Sequence, residues 1–123
     1  MRLTQKEQER LIFFSLAELS RRRYLRGVKL NYIEAAAIIC DELLEQARTG
    51  GCTIDDLTAL GGKIIALDAV MAGTEKLLPV LQLEVQFPDG NKLITVHNPI
   101  RLTDKAQTAK NLLSFYGIKE EVR

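Results

Sequence analysis

The sequence predicts an α+β fold, with three to four helices packed with a C-terminal antiparallel β-hairpin and followed by a short extra C-terminal helix. Three observations carry that prediction. Apolar residues recur at helical spacing through most of the first seventy positions. After Pro79 the period drops to two. Capping residues and glycines fall where the periodic segments start and stop.

The first helix opens on Thr4, with Glu7 three residues on. That pair is a capping box, in which hydroxyl and carboxylate each satisfy a free backbone N–H. Leu11, Phe14, Leu16 or Ala17, and Leu19 give it an apolar stripe at helical spacing, running to about Arg26. "RGVKLNY" interrupts it at Gly27, and Asn31 caps a second helix over roughly 32 to 49. Its buried face is Ala35, Ala36, Ile38, Ile39, Leu43 and Ala47, and "RTGG" stops it with glycine. Thr53, with Asp56 three residues on, caps a third helix through Leu60, which Gly61 and Gly62 break. A fourth helical segment is expected over about 63 to 72, ending before Gly73.

Leu81, Leu83, Val85 and Phe87 then alternate with Gln82, Glu84 and Gln86, the pattern of a half-buried strand. "PDGN" is a tight turn, with Pro88 presetting φ and Gly90 accepting the left-handed conformation. "KLITVH" returns as the second strand. A lone hairpin is marginal in water, so this one must pack on the helices or be completed by another chain. Beyond Ile100, Thr103 or Asp104 caps a short helix with Ala106, Ala109, Leu113 and Tyr116 as its face and Gly117 as its stop.

At 123 residues the chain has the length of one domain. Its 17 basic and 16 acidic residues nearly cancel, which argues against nucleic-acid binding driven by bulk charge. The charged opening "MRLTQKEQER" offers no signal-peptide core, no window reaches the length of a membrane span, and Cys40 and Cys52 form no CxxC pair. A cytoplasmic setting with free thiols is the expectation.

The residue inventory builds no recognisable active site. His97 is the one histidine, so neither a two-histidine metal site nor an HExxH motif can form within the chain. Ser15, Ser20 and Ser114 lie in predicted helices, none in a GxSxG elbow. The glycine pairs fit no phosphate-binding loop, and Asp55–Asp56 and Glu120–Glu121 are neighbours whose side chains diverge on a helix. "RRRYLR", residues 21 to 26, is the strongest charge feature. It reads either as a nucleic-acid patch or as arginines at a helix C-terminus that pair with carboxylates.

Four segments then carry a resemblance. "MRLTQKEQERL", "RGVKLNYIEAAAII", "VMAGTEKLLPVLQLEVQFPDG" and "KLITVHNPI" occur in order across residues 1 to 100, and together they resemble the gamma subunit of microbial urease. The resemblance implies a noncatalytic structural subunit of a nickel-dependent urease, a hydrolase of urea degradation and nitrogen metabolism that yields ammonia and carbamate. It implies beta and alpha subunits as partners in a trimeric assembly of heterotrimers, with the nickel and active site on the large alpha chain. No cofactor, metal ligand or catalytic residue is then expected in this chain, and neither nucleic acid nor membrane is expected as partner. His97 becomes part of an interface or strand end. The expected interface residues are Arg21, Arg22, Arg23, Tyr32, Phe87, His97 and Asn98.

The resemblance divides the chain into a gamma-like domain, 1 to 100, and a C-terminal helical extension, 101 to 123. The extension resembles neither the usual gamma ending nor a fused beta region, and "TEKLLP" departs from the family's pattern locally. The extension reads as a helix docking over a subunit edge, or as the mark of an altered assembly or a different amidohydrolase. A subunit acting on another urea derivative and a small DNA-binding regulator are the alternatives.

Overall fold

A computed structural model describes residues 1–103 together with Thr108, Asn111, Leu112 and Tyr116. Its elements are α1 (Gln5–Leu25), α2 (Tyr32–Thr49), α3 (Ile54–Gly61), α4 (Thr74–Leu77), β1 (Val80–Phe87) and β2 (Gly90–His97). The α+β class is as expected, with four α-helices and one antiparallel hairpin among the fully described elements.

The helix starts follow from local chemistry. Thr4, Asn31 and Thr53 each accept from the backbone N–H three residues on, and Glu7, Glu34 and Asp56 each reach back to the cap residue's own N–H. Three capping boxes therefore fix three helix starts without help from tertiary packing. The α2 stop is equally local, at Gly50 with a positive φ of 91°.

α2 is the centre of the fold. Ala35, Ile38, Ile39 and Leu43 are buried on it, and it meets α1, α3, α4 and β1. The hairpin keeps its period-two logic: Leu81↔Val96 and Leu83↔Ile94 pair on the face turned to the helices, and Val85 and Phe87 complete it. Pro88 and Asp89 form the two-residue corner, while Gly90 takes the positive φ, 124°. Lys92 lies 5.3 Å from the centre of the Phe87 ring, so a cation covers the open end of this face. Of the two expected fates for the hairpin, packing on helices is what holds it.

Two local expectations are corrected. Residues 63 to 72 are not an α-helix; Ile64, Ile65 and Ala66 are buried in succession in non-helical backbone. The segment runs as irregular chain with one 3₁₀ turn, Leu67–Ala69, and forms parallel bridges Leu30↔Val70 and Ala66↔Leu102. The helix comes later, as the four-residue α4 after Gly73. On α1 the expected stripe is largely exposed: Ala17 is buried, but Leu11, Phe14 and Leu19 face outward. Phe13, Ala17, Ser20, Arg21 and Tyr24 make the inner face instead. The expected C-terminal helix lies outside the described residues apart from Thr103, Thr108, Asn111, Leu112 and Tyr116.

Gly61 shows how closely α3 approaches the hairpin. A Cβ built there would lie 2.7 Å from Val96 Cγ2 and 3.2 Å from Val96 Cγ1. Valine is stiff at χ1 and cannot swing away. Gly61→Ala is therefore expected to destabilise by about 1–3 kcal/mol through overpacking, despite alanine's better helix propensity. A lowered urea midpoint at unchanged slope is the expected readout.

Candidate subunit interface

The arginine cluster is consumed within the chain. Arg21 reaches across from α1 to Asp41 on α2, and the two side chains are 4% and 3% exposed. Arg10 Nη1 lies 2.7 Å from the other Asp41 oxygen, an approach that is electrostatic rather than a well-aligned hydrogen bond. Arg22 pairs with Glu18 at 3.0 Å, and Arg23 with Glu34 at 2.8 Å. The antiparallel run of α1 and α2 sets this order, since later arginines on α1 meet earlier carboxylates on α2. With three arginines of the cluster already matched to carboxylates, the patch is not the open cationic stripe that phosphate binding requires.

Glu34 and Asp41 were not singled out in the sequence, although the signal was present. They stand seven residues apart on α2, hence on one face, opposite the arginine end of α1. What the sequence lacked was the helix pairing that brings the faces together.

Glu42 sits beside this network. Burial pushes its carboxyl up to about 7, Asp41 and Glu45 add to the rise, and Arg21 opposes it. The folded chain thus holds a proton that the unfolded chain releases near the ordinary value of 4.5. Stability is full below about 4.5 and falls as pH rises toward about 7. Melting temperatures at pH 5 and pH 8 are expected to differ more in the parent chain than in Glu42→Gln, where this contribution is gone. Burial likewise pushes the Cys40 thiol up to about 12, with Asp41 adding to the rise, which makes it an inert core thiol.

The other residues singled out from sequence sit apart from the arginines. Tyr32 is exposed at the first position of α2, at a corner where Leu25, Val28 and Ile33 are exposed as well. Phe87 is buried at the end of β1, beside an open dent lined by Cys52, Thr53, Ile54, Pro88 and Asp89. His97 is exposed at the end of β2, opposite Val80. Asn98 follows with a positive φ of 47°, and its N–H donates to the Pro79 carbonyl. The His97 carbonyl accepts from Arg101 Nη1 at 2.6 Å. Among the described residues no group of three or more His, Cys, Asp or Glu side chains could hold a metal ion. No described helix is long and apolar enough to cross a membrane.

The surface the sequence did not foresee is α1 itself. Leu11, Phe14 and Leu25 emerge along one flank of its inner face, Ile12 and Leu19 along the other. Ile12 is 70% exposed. A helix apolar on several sides belongs inside a larger core. Among the described elements, α2 is the one α1 chiefly packs on.

Fold and surface together define a class: a small helix-and-hairpin domain whose longest helix presents apolar side chains on both flanks, the kind of surface that marks contact with other polypeptides. The chain belongs to the urease gamma-subunit family, described as "Urease, gamma subunit", whose profile matches residues 1–100. It is similar to "Urease subunit gamma/beta" of Pseudomonas syringae pv. syringae (strain B728a), at 52% identity over 101 residues, covering 82% of this chain and 43% of that one. "Urease subunit gamma/beta" of Pseudomonas syringae pv. tomato (strain ATCC BAA-871 / DC3000) is equally similar, with the same identity and coverage. The chain thus spans less than half the length of these curated relatives.

Proposed function

We propose that this chain is a noncatalytic structural subunit of a cytoplasmic, nickel-dependent urease, the complex that hydrolyses urea to ammonia and carbamate. The family match over residues 1–100 carries this reading. Its partners are urease beta and alpha subunits, in a trimer of heterotrimers. The relatives' printed name, which joins gamma and beta in one polypeptide, supports the beta partner.

The mechanism is architectural. The α2 core and the Arg21–Asp41 pair hold α1 rigidly in place, so its flanking residues Leu11, Ile12, Phe14 and Leu19 form a preorganised apolar surface for a second chain. The α1–α2 corner with Tyr32 and the hairpin end with His97 and Asn98 extend that surface. On this reading the nickel lies on the alpha subunit, as the family match suggests, and this chain contributes structure to the complex.

Affinity purification of the tagged chain from its native extract tests the reading. The expected eluate contains stoichiometric larger chains and nickel, and it releases ammonia from urea. A chain that elutes alone, or a complex inert toward urea, overturns it.

A further inference from the structure

The irregular run 63–67 poses a hydrogen-bonding question. Ile64, Ile65 and Ala66 are buried, and their backbone is in neither helix nor strand ladder. Buried backbone N–H and C=O groups need partners, and a non-helical segment must find them elsewhere in the chain. Here several of them come from beyond residue 100. Ala66 N–H donates to Thr108 Oγ1 at 2.8 Å, and Leu67 N–H to the Leu102 carbonyl at 2.7 Å. Asn111 Nδ2 donates to the carbonyls of Lys63 at 2.7 Å and Ile64 at 3.2 Å.

Packing and a second contact point the same way. Thr108 and Leu112 are fully buried, and Leu112 joins the main apolar core. Tyr116 OH donates to Glu18 Oε2 on α1 at 3.1 Å, the carboxylate that also takes Arg21 and Arg22. Before this, Arg101 lies over Gly62, where any Cβ would strike its guanidinium, while its Nη1 holds the His97 carbonyl.

We propose that Arg101, Leu102, Thr108, Asn111, Leu112 and Tyr116 form an intramolecular clasp. They complete the backbone hydrogen bonding of 63–67, hold that segment out of a helical conformation, and tie it to α1 through Glu18. The clasp lies past the family-matched residues 1–100. It replaces, with the chain's own side chains, partners that a buried irregular segment would otherwise have to take from another subunit. The domain therefore extends to at least Tyr116, and the chain folds stably before it assembles.

Amide hydrogen exchange on the full-length chain tests this, comparing the parent with Thr108→Val and Asn111→Leu. Thr108→Val keeps the shape and removes the acceptor. The Ala66 amide is expected to exchange about tenfold faster or more in Thr108→Val, as the loss of one buried hydrogen bond implies. Gln82 and Thr95 in the hairpin should keep their protection. A chain ending at Thr103 should melt well below the parent or fail to fold. Unchanged Ala66 and Leu67 exchange in both point variants, or a truncated chain that melts with the parent, overturns the clasp. If the truncated chain does not fold, the two point variants decide.

Discussion

Replacing Asp41 by alanine is expected to cost about 3–5 kcal/mol, the largest effect of any single polar substitution in this chain. Asp41 and Arg21 are both almost wholly buried, and Arg10 adds a second guanidinium to the same carboxylate. Removing the carboxylate leaves the Arg21 cation shielded from water with its main counter-charge gone. That poorly compensated buried charge, left with Glu18 at 3.5 Å, sets the size of the effect rather than the lost attraction. For a domain whose total stability is about 5–15 kcal/mol, such a loss can consume much of the fold. The measurement is urea unfolding of Asp41→Ala, Arg21→Met and the double variant Asp41→Leu/Arg21→Met. The double variant should be markedly more stable than Asp41→Ala, because neither charge is then stranded. If Asp41→Ala unfolds at the parent's midpoint, the pair is not what fixes α1 to α2.

Ile94→Ala is expected to cost about 2–5 kcal/mol, through lost transfer energy and the cavity left behind. Ile94 is fully buried on β2, pairs across the hairpin with Leu83, and belongs to the core cluster with Ile38, Ile39 and Leu57. The hairpin has only two strands, so its adhesion to the helices is what makes it stable. Loss of Ile94 should therefore loosen the hairpin as a unit, and exchange protection at Leu83 and Val96 should fall together. An outward-facing control, Leu93→Ala, should leave stability nearly unchanged in the isolated chain, since Leu93 is exposed. If the two variants are equally stable, the assignment of the hairpin's inner face is wrong.

What could be read from the sequence divides by distance along the chain. The starts of α1, α2 and α3 were legible because each rests on two side chains three residues apart. The hairpin was legible because its alternation and its Pro-Asp-Gly corner are properties of a dozen consecutive residues. The helix expected over 63–72 failed for the opposite reason. Its apolar residues satisfied a helical count, but the backbone groups are taken by Leu30, Leu102, Thr108 and Asn111, as many as forty-eight positions away.

The candidate interface divides the same way. The sequence marks an apolar stripe on α1, but Leu11, Phe14 and Leu19 of that stripe are exposed. Periodicity reports which residues share a face, not whether the chain's own elements cover that face. Likewise, "RRRYLR" was visible as charge, but its partners Glu34 and Asp41 became partners only when α1 lay antiparallel to α2.

The sequence by itself determined the starts of α1, α2 and α3, the hairpin and its inward face, and the family. These are set by interactions of short range or by residue order itself. Only the tertiary structure decided which side of α1 stays open, which carboxylates neutralise the arginines, and how the 63–67 segment is held. Those depend on groups distant in sequence whose meeting is fixed by burial of the core around α2, and no local pattern encodes that meeting.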